Sequence, residues 1–230
     1  MKILAVETST MLGGVAIADE NGLIAEIRLN VKSTHSERMM TSIDHILRLS
    51  GMTLAQIDVF AVAAGPGSFT GLRIGLSTVK GLCYASGRPL VLVSSLEAFA
   101  WNFAYSAYPL CLMFDARKGE VYAAGYRWEE GGGFTQVLHD CAARPEDLLR
   151  AVHGPVIIAG EGAALYRERI ISAIGERALF APPPKMVPSP SNVAMLGLQK
   201  ALRKEFTDAV DAEPYYIRKS EAEMKWSEKS

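Results

Sequence analysis

The sequence predicts an α/β protein made of two related halves, the second shorter than the first. Three observations predict this fold class. Strand-like apolar runs alternate with segments of helical spacing along most of the chain. The order of strands followed by helices occurs twice, and the second set is shorter. The chain has 230 residues, of which 49% are hydrophobic, and this is ample for a packed core.

Charge and cysteine content exclude several classes of protein. A net charge of −1 argues against a protein whose main role is to coat nucleic acid or an anionic membrane. The three cysteines (Cys83, Cys111 and Cys141) lie far apart, which argues against a zinc ribbon, a thioredoxin-like site and a disulfide framework. The first apolar run stops at Glu7, too early for a signal peptide, and no run approaches the roughly 20 residues of a membrane span. We expect a soluble protein of a reducing cytoplasm.

The first half begins with three strands joined by tight turns, and helices then alternate with strands. The Asn21-Gly22 pair is a strong hairpin signal. Thr34, followed three residues later by Glu37, predicts a capping box at the start of the first helix, and Gly51 predicts its end. The predicted elements are strands Lys2–Val6, Gly13–Ala18 and Leu23–Val31, helix Thr34–Ser50, strand Ile57–Ala63, helix Phe69–Ser86, strand Pro89–Val93 and helix Ser94–Ser106.

The second half repeats this order with shorter elements. Five prolines between Pro182 and Pro190 indicate an extended linker, and the polar tail Glu213–Ser230 has no assigned element. The predicted elements are strands Pro109–Phe114 and Glu120–Trp128, turn Glu129–Gly133, helix Pro145–Val152, strand Val156–Ala159, helix Ala163–Gly175 and helix Ser191–Phe206. We expect a first lobe at 1–106 completed by the helix at 191–206, a reduced second lobe at 107–190 and a tail at 207–230.

Two loops at strand ends are candidates for binding an anion. Gly65–Ser68 lies between a strand and a helix, where backbone N–H groups and the helix N-terminus could hold a phosphate. The alternative is a tight turn, with Gly71 and Gly75 allowing the helix to pack closely, and the glycines alone favour this structural interpretation. Glu7–Thr10 could hold a metal–phosphate complex or form a solvated turn.

The remaining motifs point to packing more than to catalysis. His35 and His45 are ten residues apart and on different faces of one predicted helix, and the sequence has no H-x-x-x-H motif for a helical metal site. The two long helices of the first half each carry a broad apolar arc. That arc either belongs wholly to the core or leaves surplus surface for a subunit interface, and the pattern favours neither.

Four segments, in chain order, resemble the TsaB family, also called YeaZ, of bacterial proteins for threonylcarbamoyladenosine synthesis on tRNA. They are Ile3–Thr10, Gly65–Gly75, Asp115–Tyr122 and Tyr215–Arg218. The run at 65–75 is highly specific, and the resemblance covers nearly the whole chain. It implies an actin-like ATPase fold of the sugar-kinase and heat-shock-chaperone superfamily, in two lobes with the C-terminal lobe reduced.

The resemblance implies a non-catalytic role. Such a chain pairs with and activates a metal-dependent catalytic sister subunit, TsaD, which transfers a threonylcarbamoyl group to the adenosine next to the anticodon in tRNAs reading codons that begin with A. An ATPase subunit, TsaE, completes the complex, tRNA is bound only within it, and the isolated chain is expected to pair with itself. The sister holds its metal mainly through two histidines one helical turn apart. The corresponding region here, Ser94–Asn102, has none, so no metal or cofactor is expected.

The resemblance also implies two sets of site residues. A vestigial nucleotide or phosphate loop is expected at Glu7, Thr8, Ser9, Gly65, Gly67 and Ser68. The superfamily usually has Asp-x-Gly-Thr after its first strand, and the departure from it at Glu7–Thr10 predicts weak or absent ATP binding. The protein interface is expected at His35, Arg38, Met39, Ile43, Arg73, Leu76, Lys80 and Tyr84. Replacing both Met39 and Leu76 by Asp is expected to abolish pairing and leave the fold intact.

Three other functions are weighed against the scaffold. The main alternative is a small-molecule kinase or ATPase of the same fold, acting on its own through Glu7, Thr8 and the Gly65–Gly71 loop; calorimetry with ATP and magnesium distinguishes it. A metallopeptidase lacks its histidines in this sequence. A direct tRNA-binding module is disfavoured by the balanced charge.

Overall fold

The computed structural model describes residues 1–31 and 35–218, which form two five-stranded sheets with the same strand order. The strands of the first sheet are β1 (Ile3–Glu7), β2 (Gly13–Asp19), β3 (Gly22–Leu29), β4 (Val59–Gly65) and β5 (Leu90–Ser94), in the order β3-β2-β1-β4-β5. Those of the second are β6 (Leu110–Asp115), β7 (Val121–Trp128), β8 (Phe134–Ala143), β9 (Val156–Ala159) and β10 (Ala178–Phe180), in the order β8-β7-β6-β9-β10. This repetition confirms the predicted two-lobed, actin-like architecture.

Seven α-helices cover the two sheets in the described part of the chain. They are α1 (His35–Leu49), α2 (Phe69–Ser86), α3 (Ser95–Ala100), α4 (Pro145–Leu149), α5 (Glu161–Leu165), α6 (Arg167–Ile174) and α7 (Pro190–Leu202). We call the first sheet with α1, α2, α3 and α7 the first lobe, and the second sheet with α4, α5 and α6 the second lobe. The domain boundaries expected from the sequence stay a prediction.

The first sheet combines the antiparallel three-strand series that the sequence predicts with two parallel pairs, β1–β4 and β4–β5. β1 pairs antiparallel with β2, and β2 with β3. At the turn between β2 and β3, Gly22 has a φ of 132°, which a glycine adopts without strain. β4 lies parallel to β1 on its other side. The carboxyl ends of β1 and β4 therefore meet at one edge of the sheet, where both candidate loops begin.

Helices cover both faces of the first sheet. Because β1 and β4 are buried on both faces, their sequences are almost continuously apolar. Helices α1 and α2 pack on one face, with a core that includes Leu4, Val6, Phe60, Val62, Met39, Ile43, Ile46, Leu76 and Val79. Helix α7 returns from the second lobe to pack on the other face, with a core that includes Ile3, Ala5, Ala61, Val93, Val193 and Ala194. The packing fixes α2 against the strand ends that carry the candidate site.

The sequence prediction missed two strands, β8 and β10. Both lie at edges of the second sheet, where side chains are largely half-buried or exposed. An edge strand with solvent on one side needs few apolar residues, so neither segment shows a clear period of two. The sequence predicts no element between Gly175 and Pro182, where β10 lies.

Several predicted helices have different limits in the structure; the helix predicted at Pro145–Val152, for example, ends at Leu149. The helix predicted at Ala163–Gly175 begins two residues earlier and is broken at Tyr166 into α5 and α6. It starts at Glu161 because Gly160, with a φ of 112°, brings the chain against the carbonyl of Met113. The helix predicted at Ser94–Ser106 continues after Ala100 only as a turn of 3-10 helix.

The predicted linker is also more structured than expected. It contains a turn of 3-10 helix at Pro183–Lys185, and Pro190 is the first residue of α7, where a proline loses no helical hydrogen bond. Helix α7 ends at Leu202, four residues before the predicted limit. The capping box predicted at Thr34 lies outside the described residues.

Residues 207–218 run back over the first lobe, and we call them the C-terminal strap. The Thr207 N–H donates to the carbonyl of Leu90 at 2.9 Å, which begins the return. Ala212 is buried in the core between the first sheet and α2. The sequence assigned no element to most of this segment, and its last residues, 219–230, lie outside the described residues.

Candidate functional site

The loop after β1 packs directly against the N-terminal half of α2. A Cβ atom at Gly71 would lie 2.0 Å from the Thr8 carbonyl oxygen, and one at Gly67 would lie 2.4 Å from that of Ser9. At Gly75, one turn along the helix, a Cβ would lie 2.2 Å from Thr8 Oγ1. These glycines therefore let the helix approach the loop, which is the structural interpretation that the sequence favoured.

Glu7, at the end of β1, is a fully buried carboxyl group. Its Oε1 accepts a hydrogen bond from the Ser9 N–H at 2.5 Å. Burial, opposed by hydrogen bonds from Ser9 and aided by the nearby Glu161 carboxylate, raises the pKa of Glu7 to about 7. Among the described residues, Glu7 Oε2, Thr8 Oγ1 and Ser9 Oγ have no hydrogen-bond partner. A buried carboxyl here would repel a bound phosphate whenever it is ionised.

The glycine-rich loop after β4 is held by contacts within the chain. The Ser68 N–H donates to the Ser9 carbonyl at 2.7 Å, and Ser68 Oγ caps α2 by accepting from the Gly71 N–H at 3.3 Å. Gly65 has a φ of 128°, and a Cβ there would lie 2.3 Å from the Tyr215 carbonyl oxygen of the strap. The structure thus brings all six predicted phosphate-loop residues to one edge of the sheet, with the chain itself packed against them.

A second loop, between β6 and β7, occupies the equivalent place in the second lobe. Asp115 Oδ1 accepts a hydrogen bond from the Arg117 N–H at 2.9 Å. Arg117, Lys118 and Gly119 have φ values of 63°, 54° and 81°, so two non-glycine residues hold a left-handed conformation here. Across the lobes, the Met11 N–H donates to Glu161 Oε2, at the start of α5, at 3.5 Å.

Three of the predicted interface residues belong to the core. Met39 and Ile43 are each 2% exposed and Leu76 is 4% exposed, and they pack together between α1, α2 and the first sheet. Replacing Met39 and Leu76 by Asp would put two charges into this core. The expectation that this double change leaves the fold intact is therefore wrong, because the helix phase inferred from the sequence pointed these side chains outward.

His35 and Arg38 join the first turn of α1 to neighbouring loops. The Arg38 guanidinium donates to the carbonyls of Leu29, Val31 and Met11 at 2.8 to 3.3 Å. His35 Nε2 lies 2.9 Å from the Thr10 carbonyl, and its Nδ1 lies 3.0 Å from Arg38 Nη2. These contacts specify a neutral ring with its proton on Nε2. Burial, with the charge of Arg38, lowers the pKa of His35.

The other three predicted interface residues lie along the outer side of α2. Arg73 Nε donates to the Tyr216 hydroxyl at 3.0 Å, and Lys80 Nζ donates to the carbonyls of two strap residues. Tyr84 is 93% exposed. The predicted set therefore divides into core residues, loop-anchoring residues and residues of this outer surface, and only the last group faces solvent.

Sequence reasoning missed an exposed series of small residues on the same side of α2. Ser77, Gly81 and Ala85 follow one another at a spacing of four, and all three are exposed. No other described atom lies within 4 Å of a Cβ built at Gly81. The spacing was visible in the sequence, and combining it with the position of the buried leucines would have identified it.

Residues 1–31 and 35–218 contain neither a metal-binding cluster nor a membrane-spanning helix. Within these ranges, no group of three or more His, Cys, Asp or Glu side chains is arranged to hold a metal ion. None of the helices there is long and apolar enough to cross a bilayer.

The chain resembles one group of proteins in both sequence and structure. The family model for TsaD, described as tRNA N6-adenosine threonylcarbamoyltransferase, matches residues 22–226. The tRNA threonylcarbamoyladenosine biosynthesis protein TsaB of Bacillus subtilis is 34% identical over 231 residues, covering 99% of both chains. The protein of the same name from Escherichia coli is 28% identical, covering 96% of both chains. The structure of YeaZ from Pseudomonas aeruginosa superposes with a TM-score of 0.76 at 27% identity, over 94% of this chain and 99% of that one.

Proposed function

Because this chain belongs to the TsaB family and takes part in threonylcarbamoyladenosine biosynthesis on tRNA, we propose that it is a non-catalytic scaffold subunit that pairs with and activates the catalytic sister subunit TsaD. The reaction that it supports is threonylcarbamoyl transfer to the adenosine next to the anticodon in tRNAs reading codons that begin with A. In this proposal the ATPase subunit TsaE completes the complex and tRNA is bound only within it. The isolated chain pairs with itself through the same surface, and the protein works in the cytoplasm.

The observation that carries this proposal is the exposed side of α2, which we call the α2 face: Thr70, Arg73, Ser77, Gly81 and Tyr84. Its centre is formed by the small residues Ser77 and Gly81, and an exposed aromatic ring stands at one end. Helices approach each other most closely where the side chains between them are small. The α2 face is therefore shaped to receive a helix of a partner, with Tyr84 as an anchor of the kind that dominates binding energy in interfaces.

Helix α1 widens this surface. It packs beside α2 on the first sheet and exposes Met40 and Leu49 to solvent. Methionine is an adaptable contact residue, and exposed apolar side chains next to a small-residue groove are typical of interaction surfaces. The pairing surface of the proposal is thus built from the exposed sides of two neighbouring helices, whose opposite sides form the core.

The packing around β1 supports a role without nucleotide chemistry of its own. Thr8 is fully buried against the glycines of α2 and Ser9 against Gly67, and the Ser68 N–H is already bonded to the Ser9 carbonyl. A phosphate would have to displace these contacts and lie beside the Glu7 carboxyl group. Measurable ATP affinity of the isolated chain in calorimetry would favour the kinase or ATPase alternative.

Gly81→Arg tests the pairing surface. The change fills the centre of the α2 face, and it leaves the fold intact because the position is open and arginine has a higher helix propensity than glycine. We expect pairing with purified TsaD, measured by sedimentation velocity, to weaken by at least about tenfold, since a clash at the centre of an interface is poorly accommodated.

Gly131→Arg is the matched control. Gly131 is also open, with no described atom within 4 Å of a Cβ built there, and it lies in the turn between β7 and β8 of the second lobe. This variant is expected to pair like the parent protein. Equal pairing by both variants would show that the α2 face is not the interface.

A further inference from the structure

The C-terminal strap runs antiparallel along α2, from the end of the helix back to its start. At the end of α2, Lys80 Nζ donates to the carbonyls of Val210 and Ala212 at 3.1 and 3.0 Å. Further along, the Tyr215 N–H donates to the Ala64 carbonyl at 2.7 Å. Because these bonds engage backbone groups of the strap, they fix its path along the helix and not only the positions of a few side chains.

The strap is also held at the first turn of α2. The Tyr216 ring stacks on Phe69 with centroids 4.6 Å apart, and the Arg73 guanidinium lies 3.9 Å above the Phe69 ring. The Tyr216 hydroxyl accepts a hydrogen bond from Arg73 at 3.0 Å. Arg73 belongs to the α2 face, so the strap and this face share a side chain.

Beyond Tyr216 the strap crosses to the second lobe. Arg218 forms an ion pair with Glu120, and both side chains are more than two-thirds buried. Glu120 ends the left-handed loop between β6 and β7, and this loop is held in turn by Arg169, which donates to the Gly119 carbonyl at 3.0 Å and pairs with Glu146. The strap is therefore bonded to both lobes, and its second-lobe attachment is itself anchored.

We propose that the C-terminal strap is a latch between the lobes: it ties the α2 face of the first lobe to the β6–β7 loop of the second, so that a change at either end is passed to the other through Tyr216 and Arg218. The latch acts in the isolated chain and does not depend on the proposed function. The effect of the latch on partner binding does rest on the proposed function, because Arg73 belongs to the proposed pairing surface.

A double-mutant cycle on Arg218→Ala and Glu120→Ala tests the latch in the isolated full chain. Hydrogen exchange is measured at the Tyr215 amide and in the first turn of α2. Each single variant is expected to exchange about tenfold faster at these amides, because it loses a charged hydrogen bond. The double variant is expected to exchange no faster than either single variant. The control is Arg203→Ala, which removes an ion pair with Glu205 inside the first lobe.

The lobe arrangement is measured independently by spin labels at His45→Cys on α1 and Glu168→Cys on α6, both exposed positions. Cys141→Ser removes the one native cysteine that is not buried; burial raises the pKa of Cys83 to about 11 and of Cys111 to about 12, which keeps their thiols unreactive. We expect the distance distribution between labels to broaden in the Arg218→Ala variant.

Two results would overturn the latch. One is exchange and label distances in Arg218→Ala that match those in Arg203→Ala. The other is a double variant whose exchange effect is the sum of the two single effects. The two proposals can fail separately. If the latch passes these tests and the Gly81→Arg variant still pairs normally, the latch stands and the proposed pairing surface fails.

Discussion

At the scale of single residues, the chain places ionisable groups where packing sets their protonation. The Glu7 carboxyl group is fully buried and its pKa is raised to about 7 by that burial. His35, between the Thr10 carbonyl and Arg38, is held neutral, with its pKa lowered mainly by burial. Glu7 is closed off from solvent, and both ring nitrogens of His35 face partners within the chain, so both groups act on stability and loop position.

Glu7→Gln should remove a pH dependence of stability. The folded-state pKa of Glu7, about 7, lies above its ordinary value of 4.5, so folding favours the protonated group and stability is lost as pH rises through this interval. The loss over the whole interval is about 3 kcal/mol. Urea unfolding is measured at pH 4.5, 6 and 8. The unfolding free energy of the variant, relative to that of the parent, should rise from each of these pH values to the next.

Glu20→Gln is expected to change the pH dependence of stability in the opposite direction. Its carboxylate bonds to the N-terminal ammonium group, which lowers the pKa of Glu20, so this variant should lose stability at neutral pH compared with acid. A Glu7→Gln variant whose stability keeps a constant offset from the parent between pH 4.5 and 8 would show that Glu7 does not titrate in this interval.

At the scale of elements, the glycines of α2 and of the loop before it lie in two different environments. Gly67, Gly71 and Gly75 face the loop after β1, where no Cβ fits, whereas Gly81 faces open space. The sequence predicted the limits of α2 and the close packing of its glycines, because strand end, cap and spacing all agree. The sequence did not settle which residues of the apolar arcs on α1 and α2 face the core. Met39 of α1 and Leu76 of α2 were therefore expected at the interface, although both are buried.

A pair of alanine substitutions on α2 distinguishes these two environments. Gly71→Ala puts a methyl group 2.0 Å from a backbone oxygen and should destabilise the protein by about 1–3 kcal/mol. Gly81→Ala meets no atom and should stabilise it by up to about 1 kcal/mol through helix propensity. Urea midpoints of the two variants against the parent give the measurement, and equal shifts would show that the loop after β1 moves aside without cost.

At the scale of the whole molecule, the repeated strand order was predictable and the connections between the lobes were not. The hydrophobic pattern identified eight of the ten strands in the described residues, including β3 and β5 at the edges of the first sheet, and it missed only β8 and β10, whose side chains are half-buried or exposed. The strap has no such pattern: its path depends on hydrogen bonds from the Lys80 side chain of α2 to its carbonyls and on an ion pair to Glu120, contacts between residues over 90 positions apart. The residues of the predicted phosphate loop lie together at one sheet edge, but the packing of Tyr215 against Gly65 depends on the same long-range contacts, and the role of the loop stays a prediction.

The central claim is that this chain activates a catalytic partner and performs no chemistry itself. A modification assay with tRNA, threonylcarbamoyl-adenylate, purified TsaD and TsaE, with and without this chain, tests it most directly. The account predicts strong modification only when the chain and TsaD are both present, and none from the chain alone. Full modification in the absence of this chain would contradict it.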